Sequence, residues 1–138
     1  MPARILIADD HAIVRRAIRV LLDWHSLEVC GEAKNGKEAV EQVQKLKPEI
    51  VILDINMPEM NGIQAAYEIR SIAPSTKIVV FTDHDSPQVV SAMHLFADAF
   101  VSKTDAGTEL IPALNRLAAI SGDKPPDGPP KSRRTATS

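Results

Sequence analysis

The segment Ile50-Val51-Ile52-Leu53-Asp54 is a run of four apolar residues that ends at a carboxylate. A run with no polar positions is typical of a strand that is covered on both faces of a parallel sheet. Three more short runs have a similar form, and they end beside other reactive side chains: residues 5–8 at Asp9 and Asp10, 78–81 at Thr82, and 99–102 at Lys103. Open α/β sheets bind ligands at the carboxyl ends of their strands. The sequence therefore predicts a site of three carboxylates, a hydroxyl and an ammonium group along one sheet edge.

Segments with a helical period lie between the apolar runs, most clearly over residues 12–23. In this helix the apolar stripe is formed by Ile13, Val14, Ala17, Ile18, Leu21 and Leu22, and the residues that fall away from it are Arg15, Arg16 and Arg19. Further helices are predicted over residues 36–46, 62–72, 87–95 and 108–120. Because of Pro112, the last helix is expected either to start late, near Thr108, or to bend.

The alternation of strands and helices predicts an α/β fold with a single doubly wound parallel sheet. A fifth strand lies in the apolar run of residues 27–33, so strand and helix alternate five times. Short connections between parallel strands cross over in the right-handed sense, which places helices on both faces of the sheet. We therefore expect a five-stranded sheet with five helices.

Composition limits the domain count and the partners. With 138 residues, 44% of them hydrophobic, the chain has room for one ordinary domain, predicted over residues 1–121. Residues 122–138 are rich in proline and lack large apolar side chains, so we expect a flexible tail or linker there. Acidic residues outnumber basic ones over residues 1–120, which argues against direct nucleic-acid contact by this chain.

The sequence also indicates the cellular compartment. No apolar stretch approaches the roughly 20 residues that span a bilayer, and no charged-then-apolar leader precedes the first strand. The single cysteine, Cys30, cannot form an internal disulfide and is expected to be a buried strand thiol. We expect a cytoplasmic protein without membrane contact.

The three predicted neighbours Asp9, Asp10 and Asp54 have a defined chemical preference. Crowded carboxylates repel one another, so without compensation at least one pKa rises and the group favours a hard divalent cation. Each residue alone has an ordinary explanation, because aspartates cap helices or occupy turns, threonine suits strands and a lysine can be solvated. Their joint placement at four strand ends favours a functional site.

These motifs resemble the receiver domain of bacterial response regulators over residues 3–120. The matching features are Asp9-Asp10, the segment from Asp54 to Gly62, Phe81-Thr82 and Lys103. Ala8-Asp-Asp-His11, followed by Val14-Arg15, is most similar to receivers of the LuxR/NarL type. The resemblance implies a flavodoxin-like receiver fold with strand order 2-1-3-4-5.

The resemblance also implies a role for each site residue. Asp54 would be the phosphoacceptor, and Lys103 and Thr82 would contact the phosphoryl oxygens. Mg²⁺ would be bound by Asp10, Asp54 and the backbone carbonyl of Asn56, and by Asp9 through a water molecule. Thr82 and Phe100 would form the switch, and the implied modulators are His84, Asp83 and Asn56. Asp83 departs from the family, which usually has a small residue at this position.

The implied function is two-component signal transduction. The phosphoryl donor would be a histidine kinase or a phosphotransfer protein, and the chain would assist its own phosphorylation and dephosphorylation without otherwise being an enzyme. Three alternatives stay open for the protein as a whole. It could be a stand-alone receiver that binds a protein, a receiver that is not phosphorylated, or a fragment of a transcription factor that binds DNA through a missing C-terminal domain. The sequence also leaves open whether the chain forms a homodimer.

Two other classes of protein fit the motifs less well. An aspartyl phosphatase places its nucleophile after the first strand, whereas Asp54 follows the third predicted strand along the chain, counting residues 27–33 as the second. A flavodoxin-like flavin protein needs a phosphate-binding loop rich in Ser, Thr and Gly after the first strand, and Asp9-Asp10-His11 is unsuited to an anionic ligand.

Overall fold

A five-stranded parallel sheet forms the centre of the fold. The computed structural model describes residues 3–83 and 87–121. All strand pairs are parallel, in the order β2-β1-β3-β4-β5. The strands are β1 (Arg4–Ala8), β2 (Glu28–Ala33), β3 (Ile50–Leu53), β4 (Lys77–Thr82) and β5 (Ala99–Ser102). The predicted fold class and strand order are confirmed.

Five helices cover the two faces of the sheet. They are α1 (Ala12–Trp24), α2 (Gly36–Leu46), α3 (Gly62–Ile72), α4 (Pro87–Met93) and α5 (Ala106–Ser121), and a single 3₁₀ turn over Lys103–Asp105 leads into α5. Side chains alternate across a strand, so Ile50 and Ile52 pack with α1 and α5, whereas Val51 and Leu53 pack with α2, α3 and α4. This two-sided burial explains why β3 has no polar residue.

Three helices differ from the sequence prediction, and the first of them, α4, ends at Met93 instead of residue 95. In α1 the residues Ile13 and Ala17 of the predicted inward stripe are exposed. Helix α5 begins at Ala106, before the predicted late start near Thr108, and Pro112 lies inside it. An interior proline costs about 3 kcal/mol, but each leucine that α5 buries completely, such as Leu110 and Leu114, contributes roughly 1.5–3 kcal/mol. Burial therefore outweighs the local cost of the proline.

Other predictions concern the cysteine, the membrane and the tail. Cys30 is half-buried in β2, and burial raises the pKa of its thiol, which keeps the thiol protonated. Over the described ranges, 3–83 and 87–121, no helix has the length and apolar character needed to cross a bilayer. The tail predicted for residues 122–138 lies outside the described residues.

Candidate phosphoryl and cation site

The two aspartates that follow β1 and β3 lie next to each other at the carboxyl edge of the sheet. Ala8 pairs with Leu53 in the parallel register, and the Asp54 backbone N–H donates to the Ala8 carbonyl at 2.9 Å. Both Asp9 and Asp54 are almost completely buried, with exposed fractions of 1% and 3%. The structure therefore brings together two carboxylates from distant parts of the chain, as expected from the strand ends.

The turn after β1 places Asp10 and His11 beside these carboxylates. Asp9 Oδ1 accepts a hydrogen bond from the His11 backbone N–H at 2.9 Å. The His11 ring Nδ1 lies 3.1 Å from Asp10 Oδ1 and 3.3 Å from Asp9 Oδ1. In the sequence His11 is notable only as part of a motif, and no spacing rule indicates that its ring lies among the carboxylates.

Lys103 reaches across the sheet edge from the end of β5. Its Nζ lies 2.7 Å from Asp9 Oδ2 and 3.5 Å from Asp54 Oδ2. It also lies 5.9 Å from the centre of the Phe81 ring. Burial alone would lower the pKa of Lys103, but the hydrogen bond to Asp9 and the charges of Asp54 and Asp9 together outweigh it and raise the pKa. Lys103 is therefore a cation held between two carboxylates.

The electrostatic balance is different for Asp54. Burial and the neighbouring charge of Asp9 raise the pKa of Asp54 above its usual value, although Lys103 and the backbone N–H of Asn56 oppose this shift. That N–H donates to Asp54 Oδ1 at 3.3 Å. One ammonium group thus does not fully compensate the buried carboxylates, and an additional cation would stabilise the ionised form of Asp54.

This imbalance predicts that Asp54→Asn raises the stability of the folded chain in the absence of divalent cations. A carboxyl whose pKa is raised by folding destabilises the folded state when it is ionised. For Asp54 this penalty is absent below the unfolded pKa, near 3.8, because the group is then protonated in both states. The penalty appears as the pH rises through the pKa of the folded state. In EDTA at pH 7 we expect a higher Tm for the variant, and the difference should disappear below about pH 3.5. Thermal unfolding at both pH values checks this, and a difference that grows in acid would contradict it.

The loop between β3 and α3 is fixed by close backbone approaches. The Gly62 N–H donates to the Ile55 carbonyl at 2.7 Å, and a Cβ atom at residue 62 would lie 2.2 Å from the Asp54 carbonyl oxygen. A Cβ atom on Gly36, at the start of α2, would lie 1.9 Å from the Met60 carbonyl oxygen. Both positions therefore require glycine, and they hold the loop that carries Asn56 close to Asp54.

The predicted switch residues lie on β4 and β5. Thr82 is buried at the end of β4, level with Ser102 in the register. Phe100 is half-buried and packs against the α2, α3 and α4 side of the core, with its ring centre 4.8 Å from that of His94. Asp83 is exposed. His84, the predicted modulator, lies outside the described residues.

The donor atoms fit a hard divalent cation. Asp9, Asp10, His11 and Asp54 each offer a ligand atom, and these atoms lie within 4.8 Å of one another. Asp9 Oδ2 and Asp10 Oδ1 are buried atoms, and each lies beside a nitrogen: Lys103 Nζ is 2.7 Å from Asp9 Oδ2, and His11 Nδ1 is 3.1 Å from Asp10 Oδ1. Carboxylate oxygens of this kind are the ligands that Mg²⁺ prefers. The site is therefore suited to Mg²⁺.

Comparison with known proteins agrees with this geometry. The sequence profile of the response regulator receiver domain matches residues 5–115. Chemotaxis protein CheY of Thermotoga maritima is 41% identical over 119 residues, which cover 86% of this chain and 99% of CheY. The nitrate/nitrite response regulator protein NarL of Escherichia coli is 36% identical over 120 residues, which cover 86% of this chain and 56% of NarL. The chain thus spans nearly the whole of CheY but little more than half of NarL.

Solved structures of similar proteins share the fold. A LuxR-family two-component response regulator from an Aurantimonas species superimposes on this chain with a TM-score of 0.79 at 32% identity. The superposition covers 86% of each chain. A DNA-binding response regulator of the LuxR family from Staphylococcus aureus gives a TM-score of 0.79 at 29% identity, over 83% of this chain and 98% of the other. The chain therefore belongs to the receiver domains of two-component response regulators, and its similarity to NarL and to the LuxR-family regulators is consistent with the LuxR/NarL type.

Proposed function

We propose that this chain is a cytoplasmic, Mg²⁺-dependent phosphoacceptor that takes a phosphoryl group onto Asp54. The observation that carries the proposal is the contact of Lys103 Nζ with both Asp9 and Asp54, since it places one fixed positive charge between two buried carboxylates. In such a site the buried carboxylate is the nucleophile, and the lysine and a bound cation supply the positive charges that phosphoryl transfer needs.

The transfer itself needs little from the protein beyond position and charge. An Asp54 carboxylate oxygen attacks the phosphorus of a phosphohistidine, so a P–O bond forms, the P–N bond breaks and the imidazole leaves with the electron pair. Bound Mg²⁺ would supply positive charge to the transferring oxygens. The residues that would hold it are Asp10, Asp54, the Asn56 backbone carbonyl and, through water, Asp9. Lys103 would bind a phosphoryl oxygen as a point charge.

The response to phosphorylation would start at Thr82. Its hydroxyl would donate to a phosphoryl oxygen, and the ring of Phe100 would move inward and change the surface around the neighbouring helices. The half-buried position of Phe100 supports this proposal, because the ring is already partly packed against the core. For a complete swing from 1:99 to 99:1, the phosphoryl group would have to favour one state by about 5.5 kcal/mol.

The proposed partners follow from the reaction and from the relatives. A histidine kinase or a phosphotransfer protein supplies the phosphoryl group, and the chain assists its own dephosphorylation without another enzymatic activity. His84 would modulate the lifetime of the phosphoryl group, Asp83 would slow phosphorylation or attract a metal ion, and Asn56 is a third proposed modulator. The similarity to NarL and to the DNA-binding response regulator of Staphylococcus aureus supports DNA binding through an output domain, whereas the similarity to the chemotaxis protein CheY supports an output through binding of a protein.

The proposed function predicts that labelling by acetyl phosphate requires a divalent cation. Intact-mass measurement should show one added phosphoryl group, about 80 Da, when Mg²⁺ is present and none in EDTA. The full chain is incubated under both conditions with the same phosphodonor, and CaCl₂ replaces MgCl₂ in a third sample to test for simple charge screening. Equal labelling in EDTA would contradict a role for the cation, and no labelling under any condition would favour a receiver that does not accept phosphate.

A further inference from the structure

Arg15 of α1 does not point away into solvent as the sequence pattern suggested. Its side chain is only 17% exposed. Its Nη1 donates to the backbone carbonyl of Asp9 at 2.7 Å, and its Nε donates to Glu32 Oε1 at 2.8 Å. One guanidinium group therefore joins α1 to the end of β1 and to β2, directly behind the turn that carries the metal-binding carboxylates.

Glu32 keeps this guanidinium group in place. Its second oxygen, Oε2, accepts hydrogen bonds from Arg19 Nε at 2.8 Å and Nη2 at 2.6 Å. Burial alone would raise the pKa of Glu32, but the hydrogen bonds from Arg19 and Arg15 outweigh it and lower the pKa. Glu32 is thus ionised at neutral pH, and it orients Arg15 while neutralising its charge.

The Asp9 residue is held on both sides of its backbone. Its N–H donates to the Ala33 carbonyl on β2 at 3.0 Å, and its carbonyl accepts from Arg15. The peptide group between Asp9 and Asp10 cannot rotate without breaking the contact to Arg15. Rotation of that peptide would turn the Asp10 carboxylate relative to Asp9, and these two carboxylates must converge on one ion.

We infer that Arg15 is a positioning residue for the divalent cation: it fixes the Asp9–Asp10 peptide so that both carboxylates face the same ion, and Glu32 orients it for this task. The inference rests on the proposed function, because it concerns the cation that phosphoryl transfer uses. Groups that orient metal ligands without touching the metal typically change its affinity by about 10- to 100-fold when they are replaced.

The sign of the effect separates positioning from simple electrostatics. A positive charge close to a cation site repels the cation, so its removal would tighten Mg²⁺ binding if charge alone mattered. Loss of a positioning contact has the opposite effect, because the carboxylates then have to be ordered when the ion binds. The two explanations therefore predict opposite changes for Arg15→Ala.

The test is a titration of the ¹⁵N-labelled full chain with MgCl₂, followed by NMR, which reports the affinity and the folded state together. We expect Arg15→Ala to bind Mg²⁺ about tenfold more weakly than the wild type. Arg16→Ala, which removes an exposed arginine from the same helix, is the matched control and should bind like the wild type. If Arg15→Ala does not fold, Arg15→Lys keeps the charge but cannot form both contacts, and it should also bind more weakly.

A second measurement separates the cation from the phosphoryl group. At saturating Mg²⁺ the rate of labelling of Arg15→Ala by acetyl phosphate should return to the wild-type rate, because Arg15 acts only through the cation. Unchanged or tighter Mg²⁺ binding by the folded variant would overturn the inference, as would a rate that stays low at saturating Mg²⁺. Absence of Mg²⁺ binding by the wild type would instead reject the proposed function.

Discussion

Asp54→Asn should abolish labelling by acetyl phosphate in the presence of Mg²⁺. The wild type should gain about 80 Da, one phosphoryl group, and the variant should gain nothing. An asparagine amide oxygen carries no full negative charge, so it neither attacks phosphorus effectively nor forms a stable acyl phosphate. The change is nearly isosteric, so the variant should fold like the wild type. Intact-mass measurement after incubation gives the result directly.

The control for this prediction is Asp83→Asn. It removes another aspartate at the same edge, but Asp83 is exposed and should not hold the phosphoryl group, so the variant should still gain one group. Equal labelling of Asp54→Asn and the wild type would assign the acceptor role to a different side chain. A higher Tm for Asp54→Asn than for the wild type in EDTA would show that the variant is folded, so its loss of labelling would not result from unfolding.

Lys103→Met should slow phosphorylation by about 10²- to 10³-fold, the usual effect of removing one preorganised electrostatic contact from a transition state. Methionine retains much of the apolar length of the lysine side chain, but it has no charge for the phosphoryl oxygens. It also leaves Asp9 and Asp54 as buried neighbours without their common counter-ion. The initial rate of labelling at saturating Mg²⁺ is the quantity to measure.

The matched control for this change is Lys45→Met, which removes an exposed lysine from α2. It should label at the wild-type rate, because Lys45 is not among the residues at the carboxyl edge. Circular dichroism in Mg²⁺ establishes that both variants are folded under the assay conditions. A rate for folded Lys103→Met within about twofold of the wild type would remove Lys103 from the reaction, because it is far from the loss expected for such a contact.

Much of the fold could be predicted because local signals and burial agree. The uninterrupted apolar run of β3 predicts that helices pack on both faces of the strand, and its residues are buried in the core on both sides of the sheet. The starts of α2 and α3 were predicted correctly, and in both cases an asparagine side chain caps the helix: Asn35 accepts from the Glu38 N–H and Asn61 from the Gln64 N–H. The exposure of Ile13 could not be predicted, because a helical period identifies an apolar face but not how much of it the sheet covers.

The strand ends in the sequence predicted which side chains form the site. They did not predict the side-chain contacts that hold those residues in place. The positions of Asp9, Asp54 and Lys103 follow from strand order and register, and the length of a lysine side chain accounts for the contact across the edge. The contact of Arg15 with the Asp9 carbonyl depends on side-chain conformations across three elements, and the spacing of the arginines in α1 instead suggested a solvated face. Sequence periodicity carries no information on such contacts.

Chemical reduction can show which residue carries the phosphoryl group. An acyl phosphate is reduced by borohydride to an alcohol, so an aspartyl phosphate becomes homoserine, and peptide mass spectrometry then identifies the residue. After treatment with acetyl phosphate and Mg²⁺, homoserine should appear at position 54 and at no other aspartate. Homoserine at Asp9, Asp10 or Asp83, or a phosphoryl group that remains on a histidine, would mean that Asp54 is not the phosphoacceptor.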